Sequence, residues 1–491
     1  MRFGWRKTAS LVSALTIGAG MAAIPPAVAA GVSFSAPTFY PAGAAASGPS
    51  DVAVADLNGN GHVDLVVAQF QTDELSVLLG DGTGRFSATG NFPTGDGPAE
   101  IALADFNEDG RADVLVGHFA EDDTVSVHFG DGRGRFSSPT TLAVGTVPSS
   151  VAAGDLNGDG HADLVVVNVS PSGSVTVLLG DGAGRFSTAG PPVPTGGGSN
   201  TTVLSDFNGD GHLDVATAEG DDDSVTVLLG DGTGRLPITA HFPAGPQPAY
   251  LAVGDFNSDA HPDLAVADLS GDVAAVLLGD GTGRFGAPAL HPVGDGPVSV
   301  AVEDFDRDGH QDLAVGTRNR RPRLPSVSLL LGDGAGNFAS AIDVDVTPPP
   351  GVLFRDVFSP EAVATGDFNG DGQRDLAYVG TIGGVVVLLN TTFKPSLTIT
   401  PPSGPQGTTV TVRGSGYTPG SSIPVVKYVV PATFGRKGFY RPICSALVAN
   451  DGSFQCRGQI PASTAAGSRG AHPIVAKDST GLKAATTFTL T

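Results

Sequence analysis

Cysteine, methionine and tryptophan are almost missing from this chain. Its 491 residues include two Cys, two Met and one Trp. Two cysteines are too few for a disulfide-rich scaffold or a cysteine-ligated metal cluster. Positive charge is scarce as well, with 27 Lys and Arg against 50 Asp and Glu and a formal net charge of −23. Phosphate recognition needs a basic face, so a nucleic-acid ligand is excluded. Beyond residue 24 no apolar run is long enough to span a bilayer. Helix-period stretches are nearly absent after the N-terminus. Neither a Gly-x-Ser-x-Gly elbow nor a His-Glu-x-x-His zinc helix occurs.

Glycine is abundant, at 70 residues. Gly-rich turns between many short apolar runs, with charged residues at only 16%, imply an all-β protein and not a disordered one. Residues 1–29 read as a secretory signal. Arg2, Arg6 and Lys7 form the basic start, an apolar stretch runs from about Ala9 to Ile24, and Ala27-Val-Ala29 fits the cleavage site. That stretch is short and rich in Ala and Gly, unlike a membrane anchor. The product is expected outside the cell, where calcium is available and thiols oxidise.

Seven copies of one nine-residue acidic pattern follow. They start at Asp56, Asp105, Asp155, Asp206, Asp255, Asp304 and Asp367. Between them, short runs such as Ile101-Ala-Leu-Ala104, Leu164-Val-Val-Val167 and Val175-Thr-Val-Leu-Leu179 read as strands, and a fourth begins at Arg185-Phe186. Four antiparallel strands per repeat, seven times over, predict a β-propeller. Phe86, Phe136, Phe186, Phe285 and Phe338, with Leu236 in the fourth repeat, are expected to fill the seams between sheets. The seventh repeat lacks a fourth strand after Val385–Leu389, and the stretch at residues 33–40 looks like an orphan one. Pairing the two would close the ring and leave no open edge.

The acidic pattern offers oxygen at positions 1, 3, 5 and 9, with a backbone carbonyl at position 7 and a tight turn at position 6, where Gly is favoured. The donor sets are Asp56, Asn58, Asn60, His62 and Asp64; Asp105, Asn107, Asp109, Arg111 and Asp113; Asp155, Asn157, Asp159, His161 and Asp163; Asp206, Asn208, Asp210, His212 and Asp214; Asp255, Asn257, Asp259, His261 and Asp263; Asp304, Asp306, Asp308, His310 and Asp312; and Asp367, Asn369, Asp371, Gln373 and Asp375. At position 7 the carbonyl, not the ring, is the expected ligand. A helix-flanked calcium loop would require Glu at position 12, but Val67, Val116, Val166, Thr217, Val266, Val315 and Tyr378 stand there. The loop therefore leads into a strand, as a calcium hairpin within a sheet, with up to seven Ca2+ per chain. The sixth copy, with four Asp, is the expected strong site. The first has only Asp56 and Asp64 as acids. The fifth, with Ser258, Ala260 in place of Gly, and Pro262, is the expected weakest. The Gly-Asp-Gly-x-Gly turns, such as Gly80 to Gly84, read as hairpin turns without metal.

These features resemble the FG-GAP/VCBS repeat family, propellers similar to the head of integrin α-subunits. The resemblance rests on Asp-Phe-Asn-Gly-Asp-Gly-x-x-Asp at 206–214 and 367–375, on the Gly-Asp-Gly-x-Gly-Arg-Phe turns and on the period, and it covers about residues 33–393. It implies seven blades with calcium in the hairpin between strands one and two, and functions in adhesion, ligand binding or as accessory domains of enzymes. From Ser396 the repeats stop and Thr, Ser and Pro rise. Alternating strands there fit a small β-sandwich, and Pro402-Ser-Gly-Pro-Gln-Gly-Thr-Thr-Val-Thr-Val412 with Gly414-Ser-Gly-Tyr417 looks like a bacterial Ig-like module. Cys444 and Cys456 flank Asn450-Asp-Gly-Ser453, which predicts a cross-strand disulfide, since a zinc pair would lack further ligands. The fold expected is thus all-β: a signal peptide at 1–29, a seven-bladed β-propeller at 31–393 and an Ig-like β-sandwich at 394–491.

Strand order puts the acidic loops and the Gly-Asp-Gly turns on one face. The other face carries the irregular insertions at 318–325 and 347–358, with Glu121-Asp-Asp123 and Asp221-Asp-Asp223. Loops on a rigid scaffold commonly carry binding. The expected function is a secreted, monomeric, calcium-binding scaffold that binds an unidentified extracellular glycan or protein near blades six and seven, without enzymatic activity. The alternative is a carbohydrate-active hydrolase or lyase built on the propeller's carboxylates.

Overall fold

The computed structural model describes residues 32–44, 47–119, 123–169, 172–318, 326–346, 362–380, 383–392, 396–405, 407–416, 422–430, 439–447, 453–460, 470–477 and 483–490. The expected leader, the insertions at 319–325 and 347–358, Glu121 with its neighbour at 122, and the turn at 450–452 lie outside these residues.

Each acidic repeat begins as a hairpin. In the first, Pro49–Ala55 runs into the acidic loop and Asp64–Gln69 returns antiparallel, followed by Glu74–Gly80 and Phe86–Pro93 in the order one-two-three-four. The second strands are continuous apolar runs because both of their faces are covered: Asp64–Gln69, Asp163–Asn168 and Asp263–Asp268 are buried along their whole length. Fourth strands lie outermost and alternate between exposed and half-buried residues, as in Ile238–Pro243. In the third blade the fourth strand splits into Phe186–Thr188 and Val193–Pro194, because Pro191 and Pro192 supply no N–H to the ladder.

The first strands of successive blades stand side by side, from Pro49–Ala55 through Pro98–Ala104, Pro148–Gly154, Ser199–Ser205, Pro248–Gly254 and Pro297–Glu303 to Ala362–Gly366, which again meets Pro49–Ala55. That is a closed seven-membered ring. The seventh blade is completed as expected: Thr38–Pro41 pairs antiparallel with Gly384–Leu388, with Phe39 opposite Val386. A strand that precedes the first repeat thus supplies the last blade's outer strand.

The C-terminal residues form two further sheets. One orders Ser396–Thr400, Thr409–Ser415 and Phe454–Gln459; the other contains Ser422–Val430, Phe439–Leu447, Gly470–Lys477 and Lys483–Leu490. They face one another across a core that includes Ile399, Val412, Ile423, Val426, Ile474 and Phe488. Cys444 and Cys456 are bonded. Their placement corrects the sequence expectation: Cys444 pairs with Val426 in one sheet and Cys456 with Val412 in the other. The bond therefore joins the two layers and does not cross a hairpin. Its sequence separation of 12 residues gives a chain-entropy contribution of about 3 kcal/mol. Reduction, or Cys444→Ser with Cys456→Ser, should destabilise the sandwich by about that amount while leaving the propeller's melting transition in place, as calorimetry with and without reductant would read.

Candidate functional site

The nine-residue loop wraps around the side chain of its own first Asp. In the third copy Asp155 Oδ1 accepts from the N–H of Gly158 at 2.7 Å and of Asp159 at 3.2 Å, and Oδ2 accepts from Gly160 at 2.9 Å. Asn157 Oδ1 then accepts from Asp159 N–H, and Asp159 Oδ1 from His161 N–H. The same bonds from the amides of positions 5 and 6 to the first Asp recur in all seven loops. Position 6 is left-handed throughout, with φ from +67° at Ala260 to +93° at Gly309. Position 4 is left-handed too, and there Glu108, Ser258 and Arg307 stand where other copies have Gly. Gly59, Gly158, Gly209 and Gly370 at position 4 were the available signal for this second turn, which a reading based on position 6 alone passes over.

Position 9 is buried in every copy. Its carboxylate is a clasp. Asp214 Oδ2 accepts from Phe207 N–H at 2.8 Å, and Oδ1 from Gly230 N–H at 2.7 Å, at the start of the Gly-Asp-Gly turn. Asp64, Asp113, Asp163, Asp263, Asp312 and Asp375 make the same two bonds. Burial pushes these carboxyls above the usual range despite the two amides: to about 6 at Asp113 and Asp214, about 7 at Asp312 and about 8 at Asp375. In the sixth loop Asp304, Asp306 and Asp312 bring carboxylate oxygens within 4.8 Å of one another. Burial, then the neighbouring charge of Asp308, raises Asp306 to about 6. At position 7 the rings of His62, His212, His261 and His310 pack over Gly82, Gly232, Gly281 and Gly334, so closely that a Cβ on any of these glycines would fall within 2.4 Å of the ring. His161 packs over Gly182 in the same way and also pairs with Glu108 of the preceding blade. These rings are occupied in joining the two turns of one blade.

A second set of partners was not visible in the repeats. The last Gly of each Gly-Asp-Gly-x-Gly turn donates its N–H to the carbonyl of position 2 in the preceding blade: Gly84 to Phe368, Gly134 to Leu57, Gly184 to Phe106, Gly234 to Leu156, Gly283 to Phe207 and Gly336 to Phe256, at 2.8 to 3.2 Å. In the seventh blade, which lacks the turn, the Asn390 amide reaches Phe305 O at 2.9 Å instead. The expected seam aromatics sit at these same joints, edge to face: Phe86 on Phe368, Phe186 on Phe106, Phe285 on Phe207 and Phe338 on Phe256. Phe136 packs with Leu57, and Leu236 with Leu156.

On the opposite face, two of the acidic residues that strand order assigned there are committed to the backbone. Asp123 Oδ1 accepts from Val147 N–H at 3.2 Å and Asp223 Oδ1 from Gln247 N–H at 2.8 Å, pinning the links between blades. Asp73 and Asp272 do the same to Gly97 and Gly296. Elsewhere His118, Ser126 and His128 are linked at 3.0 Å per step, but all three are fully buried, so this chain of nitrogens and hydroxyl is core packing closed to substrate.

A family profile for the FG-GAP-like repeat matches residues 56–116, 118–166, 161–217, 206–266 and 255–315. The chain belongs to the FG-GAP-like repeat family. Among solved structures, the chain is similar to a functionally unknown protein from Desulfotomaculum acetoxidans (13% identity, TM-score 0.46, covering 66% of this chain and 98% of that one). It is also similar to a Lactobacillus plantarum protein (16%, 0.47, covering 62% and 87%) and to a fungal alcohol oxidase in complex with copper (14%, 0.44, covering 94% and 100%). At these TM-scores the likenesses assign nothing to this chain. No curated protein matches. The matched stretch begins at the first acidic loop and ends in the strand that follows the sixth.

Two outcomes follow from the clasp and the left-handed turns. Asp214→Ala strands two buried N–H groups, and urea unfolding should show a loss of about 2–4 kcal/mol. Ala260→Gly relieves a left-handed Ala with open space beside the equivalent glycines, and should stabilise by about 1 kcal/mol in the same assay.

Proposed function

We propose that this FG-GAP-like repeat protein is a secreted, monomeric, calcium-binding scaffold that binds an extracellular glycan or surface protein and performs no catalysis. The observation that carries the calcium reading is the sixth loop, where three carboxylates converge. Hard oxygen donors on a pliable turn suit Ca2+ better than soft-ligand metals or the stricter octahedron of Mg2+. The residues that would hold the ion are positions 1, 3, 5 and 9 with the carbonyl of position 7, and a bound ion supplies positive charge to carboxylates that otherwise repel. Up to seven ions would bind, the fifth loop least well. The propeller then spans 31–393 and an Ig-like module 394–491.

Export is supported by the signal-like residues 1–29 and is compatible with the disulfide. Among the described residues no helix is long and apolar enough to cross a membrane. Asp123 and Asp223 hold the links between blades; the insertions at 318–325 and 347–358, which strand order in the sequence assigns to the second face, are not required by the repeat. They are the proposed docking region. A glycan array and a surface-protein pull-down, run with calcium and with EDTA, test this. Binding lost with EDTA and on deleting residues 318–323 is expected. Turnover of a polysaccharide, or binding untouched by that deletion, would count against it.

Calcium also predicts a pH signature. The position-9 carboxyls titrate above their unfolded values, so the metal-free fold holds protons that the unfolded chain releases. The stability these groups contribute is therefore full below the unfolded carboxylate range and is lost as pH rises through about 6 for Asp113 and Asp214, 7 for Asp312 and 8 for Asp375. A cation that replaces those protons removes the loss. EDTA-treated protein should melt at a lower temperature at pH 8 than at pH 6, and calcium should abolish the difference. Equal melting at both pH values, with no response to calcium, would contradict the reading.

A further inference from the structure

Six of the seven seams are closed by a turn within a continuous blade. The seam between blades six and seven is different: it is closed by the two ends of the array. Phe305, at position 2 of the sixth loop, lies between Asp304 and Asp306, and its N–H donates to Asp312 Oδ2 at 2.8 Å. All three carboxylates that converge in this loop therefore frame one residue. The other side of Phe305 receives the two ends of the array. Its carbonyl accepts the Asn390 amide at 2.9 Å, and its ring meets Phe34 edge to face with centroids 6.3 Å apart. Phe34 and Asn390 also bridge each other, with Ser35 N–H donating to Leu389 O and Thr391 N–H to Ser33 O, both at 2.7 Å.

We propose that a calcium ion in the sixth loop is the clasp of the ring, so that binding at Asp304, Asp306 and Asp312 and docking of the two ends of the repeat array on Phe305 form one linked equilibrium. The proposal rests on the calcium reading above. Without the ion, three crowded carboxylates repel, and the 304–306 segment relieves the repulsion by shifting. That shift carries away the carbonyl and ring on which Asn390 and Phe34 dock. With the ion the segment is fixed and the landing site is preformed. Asn390 is held by Asp375 of its own blade, as the Gly-Asp-Gly turns of the other six seams are held by theirs, but Phe34 comes from the far end of the array, so only at this seam does closure include a separate docking step. Linkage is reciprocal: if the ion favours docking, docking favours the ion by the same factor.

The test uses the full chain. Calorimetric titration with CaCl2 compares the wild type with Asn390→Ala, which keeps the backbone N–H bonded to Asp375, and with Phe34→Leu. Each variant should weaken one calcium by about fivefold or more and leave the remaining sites unchanged. Hydrogen exchange on the wild type alone provides the second reading and needs no variant to fold. EDTA should speed amide exchange at residues 32–41 by about tenfold or more relative to the inner strand Pro248–Gly254. Calcium affinities equal in all three proteins, or exchange at 32–41 that ignores calcium, would overturn the clasp while sparing the calcium reading. A wild type that binds no calcium would overturn both.

Discussion

The residue after the first Asp of each acidic loop is held on both sides. Its N–H is taken by the buried position-9 Asp of its own blade, and its carbonyl by the next blade's turn, or by Asn390 at the last seam. The side chain of the same residue, Phe or Leu, fills the seam against the next blade's aromatic or Leu. Local hairpin, blade and ring thus meet in one position. Each intramolecular hydrogen bond contributes about 1 kcal/mol net and each edge-to-face pair about 0.5–1.5 kcal/mol. Losing the clasp costs more than either, because it leaves buried N–H groups without partners.

This arrangement explains why so much acid is tolerated in a chain of net charge −23. Positions 1, 3 and 5 satisfy the loop's own amides, and position 9 satisfies two more in the interior. The carboxylates are first of all acceptors that let a tight, left-handed loop exist without stranded N–H groups. On our proposal a cation completes that role by cancelling the repulsion between them. The face bearing the loops is committed to holding the blades.

Much of this was legible from spacing alone. Period, strand number and the apolar second strands follow from alternation and burial, and Thr38–Pro41 was readable as a displaced fourth strand because its partner was missing at the other end. The joints were harder to see. Gly84 and Phe368, or Gly283 and Phe207, lie in different repeats, so no local pattern shows that the glycine of one meets the carbonyl of the other. Asn390 was harder still, since an amide replaces a backbone N–H and shares no sequence likeness with the turn it substitutes. The run Asp221-Asp-Asp223 showed only its face; that the left-handed backbone of Asp223 turns its carboxylate toward Gln247 N–H depends on a link 24 residues away. The two cysteines signalled a bond but not its geometry, because strands separated by a short turn can either pair or fold into opposite layers.

Amide hydrogen exchange at Leu57, Phe106, Leu156, Phe207, Phe256, Phe305 and Phe368 tests the central claim most directly. These N–H groups lie at the ends of loops, where exchange is ordinarily fast. If each is clasped by a buried Asp at the joint of two blades, all seven should exchange only with global unfolding. Exchange at the rate of the neighbouring exposed loop amides would show that the joints open locally and that the ring is held by something else.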